Sequence, residues 1–341
     1  MTIEANATLN ASVASTGTEL PYPSAVNGTT GGKSSWTRVF TEEFSSGTGD
    51  FANPAYWMNH TGPTEDAYNW SDDVGNRPAN WSITSDCPVL GLTTAEASGN
   101  GYLNIWPAAD PNWSSFTAAQ LADNPTPFFM RHFCTDKVYL QTGKTGWYHK
   151  RNNTGEGYYE VRMRLPVGRG CWPAWWMFYS SSAGSLYGDV SPNQYYGDQE
   201  LDIMEAYNAL YYGTVRADWA NEVDTGVSAW GTKIVPNQYG VNFHDAATGR
   251  SGPTSYYMGG SIFHNAFHVY GVHVTKNAAK FYFDNVLVGR TAGKANKIPL
   301  HPRLNLTFCL SDFGTGCLPN TTDTPQGAEN AFCIDWVRIW E

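Results

Sequence analysis

The stretch Gly157-Tyr158-Tyr159-Glu160-Val161-Arg162-Met163-Arg164-Leu165-Pro166 spells out a β-strand. Side chains alternate across an extended chain, so Tyr159, Val161, Met163 and Leu165 share one face and Tyr158, Glu160, Arg162 and Arg164 the other. One face belongs to a core; the other is wet or paired. From Trp36 onward the chain repeats this theme in short β-branched and aromatic runs punctuated by Gly, Pro, Asn and Asp. That punctuation reads as an all-β, antiparallel sandwich. No long stretch of helical period competes, Phe116 to Ala122 offering one helical turn or two, and no internal repeat stands out.

A second stretch, Gly197-Asp198-Gln199-Glu200-Leu201-Asp202-Ile203-Met204-Glu205-Ala206, sets Glu200, Asp202 and Glu205 close together among apolar residues. Alternation puts Glu200 and Asp202 on one face and would send Glu205 to the opposite one. A β-bulge, one extra residue in the strand, restores Glu205 to their face, with Ile203 and Met204 sharing the change of phase. Three like charges on one face repel, so at least one holds its proton more tightly, as acid/base chemistry requires. Retaining glycoside hydrolysis uses two carboxyl groups in different protonation states roughly 5–5.5 Å apart, a geometry that two glutamates on one strand face can meet. A solvated acidic face or a calcium-binding strand would show the same short pattern.

The chain has 341 residues, enough for one large β domain with a substantial core. Its formal net charge of −10 and lack of any dense Lys/Arg run argue against a nucleic-acid partner, whose phosphates demand a basic face. Aromatic residues reach 15%, with 14 Trp and 20 Tyr, a surplus suited to stacking on the apolar faces of sugars. No hydrophobic run has the length of a membrane span, and the start, Met1 to Ala7, lacks the basic and apolar regions of a secretory signal. Residues 1–35 are rich in Ala, Ser, Thr, Gly and Asn, which reads as a linker, an edge extension or an attachment arm to a larger assembly. Residues 36–341 form the second unit. Cys87, Cys134, Cys171, Cys309, Cys317 and Cys333 show no CxxC or Cys/His spacing, so zinc is not expected. An even count allows three disulfides, with Cys309, Cys317 and Cys333 near one another late in the chain; buried thiols are the alternative. Sequons such as those at Asn27, Asn69, Asn80 and Asn112 carry little weight in so Asn-, Ser- and Thr-rich a chain.

Four blocks in order resemble glycoside hydrolase family 16. Gly157–Pro166 followed by Gly170-Cys171-Trp172-Pro173-Ala174-Trp175-Trp176-Met177 is similar to the strand pair preceding that family's active strand. The ExDxxE strand comes next. Phe267-His268-Val269-Tyr270-Gly271-Val272-His273-Val274 with Phe281-Tyr282-Phe283-Asp284-Asn285 looks like its "FHxYxxxW…fyvDg" hairpin, and Phe332-Cys333-Ile334-Asp335-Trp336-Val337-Arg338-Ile339-Trp340 resembles its closing strand. The resemblance spans Trp36 to Glu341 and implies a concanavalin A-like β-jelly-roll: two curved antiparallel sheets, with a substrate cleft on the concave face.

The resemblance also implies roles. Glu200 would be the nucleophile, Glu205 the general acid/base and Asp202 the residue that keeps their protons unequally shared. Trp172 and Trp176 match the tryptophans of the family's "WPAFW" segment, Trp172 being the preferred sugar platform, with core packing the alternative for both; Trp175 replaces the usual Phe and reads as core or wall. Where the family commonly shows "T-x-H-W", this chain has Thr214-Val215-Arg216-Ala217-Asp218-Trp219. Arg216 at the histidine's place would favour an anionic substituent, since its planar fork binds oxyanions in pairs; a surface ion pair is the plainer reading. Trp219 is a further stacking candidate. Glu43, Asp335 and the Gly101 carbonyl match positions that hold a structural calcium ion in many members, with no cofactor needed for catalysis.

These residues imply a retaining endo-β-glycosidase acting by double displacement on a β-linked polysaccharide. Pro299-Leu300-His301-Pro302-Arg303-Leu304-Asn305-Leu306 lacks the "NxAVGG" character of laminarin-cutting glucanases. An acidic or substituted exopolysaccharide or an algal galactan is thereby placed ahead of β-glucan. The alternatives are a β-glycan transglycosylase and a non-catalytic lectin. The expected setting is extracellular, secreted or on a virion or cell surface. The expected state is a monomer, free of nucleic acid and membrane, with residues 1–35 available to attach it to a carrier.

Overall fold

A computed structural model describes residues 38–44, 58–59, 80–85, 87–88, 101–112, 115, 128, 131–134, 157–179, 199–206, 238–245, 249–250, 255–258, 263, 266–275, 278–290, 301–308 and 319–340. The N-terminal segment 1–35, Phe116 to Ala122, Arg216 and Trp219 lie outside them. So do Asn27, Asn69, Cys309 and Cys317.

Two antiparallel sheets make up the described part. The first contains β1 (Arg38–Glu42), β3 (Trp81–Thr84), β4 (Tyr102–Ile105), β6 (Gly157–Arg164), β12 (His268–Thr275), β13 (Ala278–Phe283), β14 (Val286–Arg290) and β16 (Phe332–Trp340). The second contains β2 (Met58–Asn59), β5 (Arg131–Cys134), β7 (Cys171–Tyr179), β8 (Gln199–Glu205), β9 (Gln238–Asp245), β10 (Gly249–Arg250), β11 (Ser255–Met258) and β15 (His301–Phe308). Strand order in the first is β14-β13-β12-β6-β16-β4-β3, with β1 also on β16; in the second it is β10-β9-β8-β7-β15-β5-β2, with β11 also on β9. Chain neighbours β6 and β7 thus fall in opposite sheets, as in a sandwich. The core between the sheets takes Val161 and Met163 of β6, Val272 of β12 and Val337 of β16 from one side, and Trp175 of β7, Leu201 of β8 and Leu304 of β15 from the other.

The alternation expected of Gly157 to Leu165 is present. Tyr159, Val161, Met163 and Leu165 join the inter-sheet core. The opposite face is paired rather than wet. Trp340 Nε1 donates to Glu160 Oε1 at 3.0 Å, Arg162 forms an ion pair with Asp335, and Arg164 Nη1 donates to the Ala331 carbonyl at 2.6 Å. Buried charges require such partners, so the outer layer of the first sheet carries a polar core of its own. The block Phe267 to Asn285 makes β12 and β13, and Asp284 and Asn285, both at positive φ, turn β13 into β14. Two left-handed residues between paired strands are a type I′ hairpin, which Asp and Asn adopt more readily than most. Asp284 also accepts from the Val269 N–H at 2.8 Å and meets His268 Nδ1 at 2.6 Å, fastening the turn to the start of β12.

Candidate active site

The bulge falls where the acidic stretch demands it. Along the β8–β9 pairing, Asp202 faces Asn242 and the next partnered residue, Glu205, faces Gly240. Along the β7–β8 pairing, Trp175 faces Met204 and Trp176 faces Asp202, leaving Ile203 as the extra residue. Ile203 and Met204 both enter the inter-sheet core with Leu201. Glu205 is thereby returned to the face of Glu200 and Asp202, away from the core. Asp202 is 1% exposed and Glu205 8%, whereas Glu200 is half-buried. The strand therefore offers one accessible carboxylate and two enclosed ones.

Strand β7 supplies the neighbouring wall. Trp175 and Met177 point into the core, which turns Trp172, Ala174 and Trp176 to the carboxylate face. Trp172 Nε1 donates to Glu205 Oε1 at 3.2 Å. Its backbone is held in turn, since Thr307 Oγ1 donates to the Trp172 carbonyl at 3.2 Å and the Ala206 N–H donates to the Pro173 carbonyl at 3.2 Å. The Trp172 indole N–H thus fixes one oxygen of Glu205. Trp176 Nε1 donates to Asn305 Oδ1, and the Arg303 guanidinium lies 5.1 Å from the Trp176 ring. Trp175 is core.

Arg303, Asn305 and Thr307 lie on the same face as the carboxylates, a placement that sequence reasoning missed. The signal was present: Arg303-Leu304-Asn305-Leu306-Thr307 alternates polar with apolar, as a strand with one polar face must. In the register, Arg303 faces Trp176, Asn305 faces Ala174 and Thr307 faces Trp172, so all three extend the polar face across β15. Arg303 is 2% exposed, a cation built into the floor. Asn242, on the other side of β8, uses Oδ1 to accept the Phe243 N–H at 2.9 Å.

The proposed metal residues converge elsewhere, on the first sheet. Phe44 sits at φ 51, and a Cβ on Gly101 would come within 2.5 Å of the Phe44 carbonyl oxygen, so the two backbones touch. Arg338 donates through Nε and Nη2 to Glu43 Oε1 at 3.1 and 2.9 Å, while Asp335 is paired with Arg162. Burial pushes the Glu43 carboxyl up; Arg338 opposes the shift and the Asp335 charge adds to it. Glu43 Oε2 is buried and makes no hydrogen bond. Among the described residues no group of three or more His, Cys, Asp and Glu side chains is placed to hold a metal. The corner therefore fits a cation only through Glu43 Oε2, Asp335 and backbone oxygens.

Among the described residues Cys87, Cys171 and Cys333 are buried thiols; Cys171 Sγ rests 3.6 Å from the Val167 carbonyl, and Cys333 faces Cys87. Asn80 is fully buried, with Nδ2 donating to the Trp106 carbonyl at 3.3 Å, which closes that sequon to a glycan. Asn112 is exposed.

No family model matches the chain. It is 27% identical over 208 residues to the Kappa-carrageenase of Pseudoalteromonas carrageenovora, covering 56% of this chain and 45% of that protein. It is 30% identical over 168 residues to the Beta-glucanase of Rhodothermus marinus, covering 48% and 44%, and 27% identical over 197 residues to Glucan endo-1,3-beta-glucosidase A1 of Niallia circulans, covering 54% and 24%. The chain thus spans less than half the length of these curated relatives. Among solved structures, LamA of Z. galactanivorans in complex with laminaritriose and laminaritetraose matches with a TM-score of 0.53 at 18% identity, over 89% of this chain and 99% of that one. SCLam, described as a non-specific endo-beta-1,3(4)-glucanase from family GH16, matches with a TM-score of 0.52 at 17% identity, over 91% and 92%. The chain is thus similar in sequence to three curated glycanases and shares its two-sheet fold with these solved structures, one of them described as family GH16, over about nine tenths of its length.

Proposed function

We propose that this protein is a retaining endo-β-glycosidase that cuts a β-linked polysaccharide by double displacement. The observation that carries the reading is the bulge at Ile203, which puts Glu200, Asp202 and Glu205 on one face with Glu205 tied to the Trp172 indole. Glu205 protonates the departing glycosidic oxygen while Glu200 attacks the anomeric carbon, giving a glycosyl-enzyme. Glu205, now ionised, takes a proton from water, which displaces Glu200 and releases the sugar with retained configuration. The carboxylate formed on Glu205 is the better acceptor for the indole N–H, so that bond strengthens as the proton leaves. Asp202 sits between the two and keeps their protonation states unequal. The lone accessible member, Glu200, is the one an anomeric carbon must reach.

For substrate, an acidic or substituted polysaccharide or an algal galactan is preferred to β-glucan. Arg303 adds a buried cation to the polar face, and Arg216 would add another. Kappa-carrageenase and β-glucanase names among the relatives bracket the same range. Trp172, Trp176 and Trp219 would line the sugar path. Calcium would be held by Glu43, Asp335 and backbone oxygens near Gly101, as a structural ion. Extracellular action, with residues 36–341 as the catalytic unit and 1–35 as an extension, completes the proposal.

Reducing-end release on laminarin, agar, carrageenan and acidic bacterial exopolysaccharides identifies the substrate, and the anomer first formed, read by NMR, tests retention. Glu200→Gln and Glu205→Gln should each lower kcat by about three orders of magnitude or more, as expected when nucleophile or acid/base is lost. Cleavage at the wild-type rate in either variant would overturn the assignment.

A further inference from the structure

Cys87 and Cys333 are 246 positions apart in sequence, yet their sulfurs lie 3.5 Å from one another. Both are fully buried, in a cluster with Tyr102 and Ala331 against which Trp106 and Phe267 pack. Cys333 is fixed from both sides, facing Asn104 of β4 and Arg164 of β6. A disulfide bond is about 2.05 Å long, so closure needs an approach of roughly 1.5 Å, a displacement that side-chain rotation supplies. Arg164 anchors the same corner through the Ala331 carbonyl with its charge facing both sulfurs, but burial and the Cys87 contact push the Cys333 thiol up, so the folded corner holds it protonated and exchange belongs to the open state.

We propose that Cys87 and Cys333 form a dithiol–disulfide site, oxidised to a covalent staple between the segment ahead of β4 and the closing strand β16 when the protein matures in an oxidising compartment. The two thiols give two protons and two electrons to a small-molecule or protein disulfide, which departs as two thiols; one S–S bond is formed. Exchange proceeds before the corner closes or when it opens, because burial keeps reagents from both sulfurs in the folded state. Once formed, the staple is shielded from reductant for the same reason. It joins the last strand to a segment more than two hundred residues earlier, so it closes a loop containing Trp172, Glu200, Asp202 and Glu205. Cys171, buried with its sulfur against the Val167 carbonyl, is the internal control and stays a thiol.

The test uses the full chain produced in parallel in an oxidising and a reducing compartment. Each sample is denatured in iodoacetamide, then reduced, alkylated with N-ethylmaleimide, digested and mapped. From the oxidising compartment, Cys87 and Cys333 should carry maleimide and their peptides should be joined before reduction, while Cys171 carries the first label. From the reducing compartment all three should carry the first label. Oxidised protein in which Cys87 or Cys333 carries the first label, or is joined to Cys134, Cys309 or Cys317, overturns the proposal. Cys87→Ser should expose Cys333 to the first label and abolish the fall in Tm seen after the oxidised wild type is unfolded and refolded in reductant. Should that variant fail to fold, the wild-type map decides alone.

Discussion

Replacing Trp172 by Phe separates two roles for this side chain. As a sugar platform Trp172 works through its ring face, which Phe largely preserves. As a partner of Glu205 it works through Nε1, which Phe lacks. The bond is 3.2 Å long, at the far end of the N–H···O range, and its donor is half-buried, so it falls at the low end for hydrogen bonds to charged groups, about 1.5 kcal/mol. Because it strengthens as Glu205 loses its proton, that energy belongs to the transition state and enters kcat, predicting a roughly tenfold loss with KM changed little. The fold should persist, because the local anchors, Thr307 Oγ1 to the Trp172 carbonyl and the Ala206 N–H to the Pro173 carbonyl, involve backbone at this position. Steady-state kinetics on the best polysaccharide substrate, beside Trp172→Ala, is the assay. The alanine variant loses ring and donor together and should raise KM as well as lower kcat. If Trp172→Phe keeps the wild-type kcat, the indole N–H does nothing for Glu205; if it raises KM alone, Trp172 is a platform only.

Other predictions follow from contacts away from the cleft. A methyl group on Gly271 would lie 2.3 Å from Tyr158 Oη and 2.8 Å from its Cζ, both in a buried layer. Gly271→Ala should therefore cost about 1–3 kcal/mol in urea unfolding, and adding Tyr158→Phe should recover part of the loss by removing the nearer atom. Asp284→Ala removes the acceptor for the Val269 N–H and the His268 partner, and should lower stability by about 1–2 kcal/mol, measured the same way, with activity unchanged. For the calcium corner, EDTA should lower Tm and calcium restore it, while no change on either addition would remove the ion from the account. The pH dependence carries a sign. The folded-state pKa of Glu43 is raised above its ordinary 4.5, so its contribution is full below that value and is lost as pH rises through the folded pKa. In EDTA, wild type should therefore lose ground to Glu43→Gln between acid and neutral pH, and calcium should reverse the trend.

The sequence disclosed the fold through periodicity. The strand at 157–164 could be read because its apolar members recur every second residue, and the closing strand because it resembles known ones. The bulge could be read because three carboxylates out of phase are costly to place any other way. What escaped was pairing across the sheets. Whether Arg162 and Glu160 faced water or partners depends on Asp335 and Trp340, far along the chain, and local alternation is silent about such distances. The donor role of Trp172 escaped for the same reason, since a platform and a donor demand the same residue and only the partner tells them apart. The alternation of Arg303, Asn305 and Thr307 marks a strand with one polar face, but which sheet that face joins depends on the distant partners Trp172, Ala174 and Trp176.

The bulge also explains why the apolar residues of the acidic strand are as constrained as the acidic ones. At an ordinary strand position both neighbours of a core residue point to the opposite face; here Ile203 and Met204 both enter the core, one after the other. A polar residue at either place would be buried without the alternation that usually lets it turn outward, and restoring regular alternation would carry Glu205 away from Glu200 and Asp202. Packing and chemistry therefore select the same conformation. The inter-sheet core stabilises the irregular strand because it accepts both side chains, and the candidate site exists because the strand is irregular. Trp172 then acts on a carboxylate already delivered to its face, contributing a hydrogen bond where the core has fixed the phase. The large step, bringing three carboxylates to one face, is carried by apolar burial, and the indole N–H refines the result.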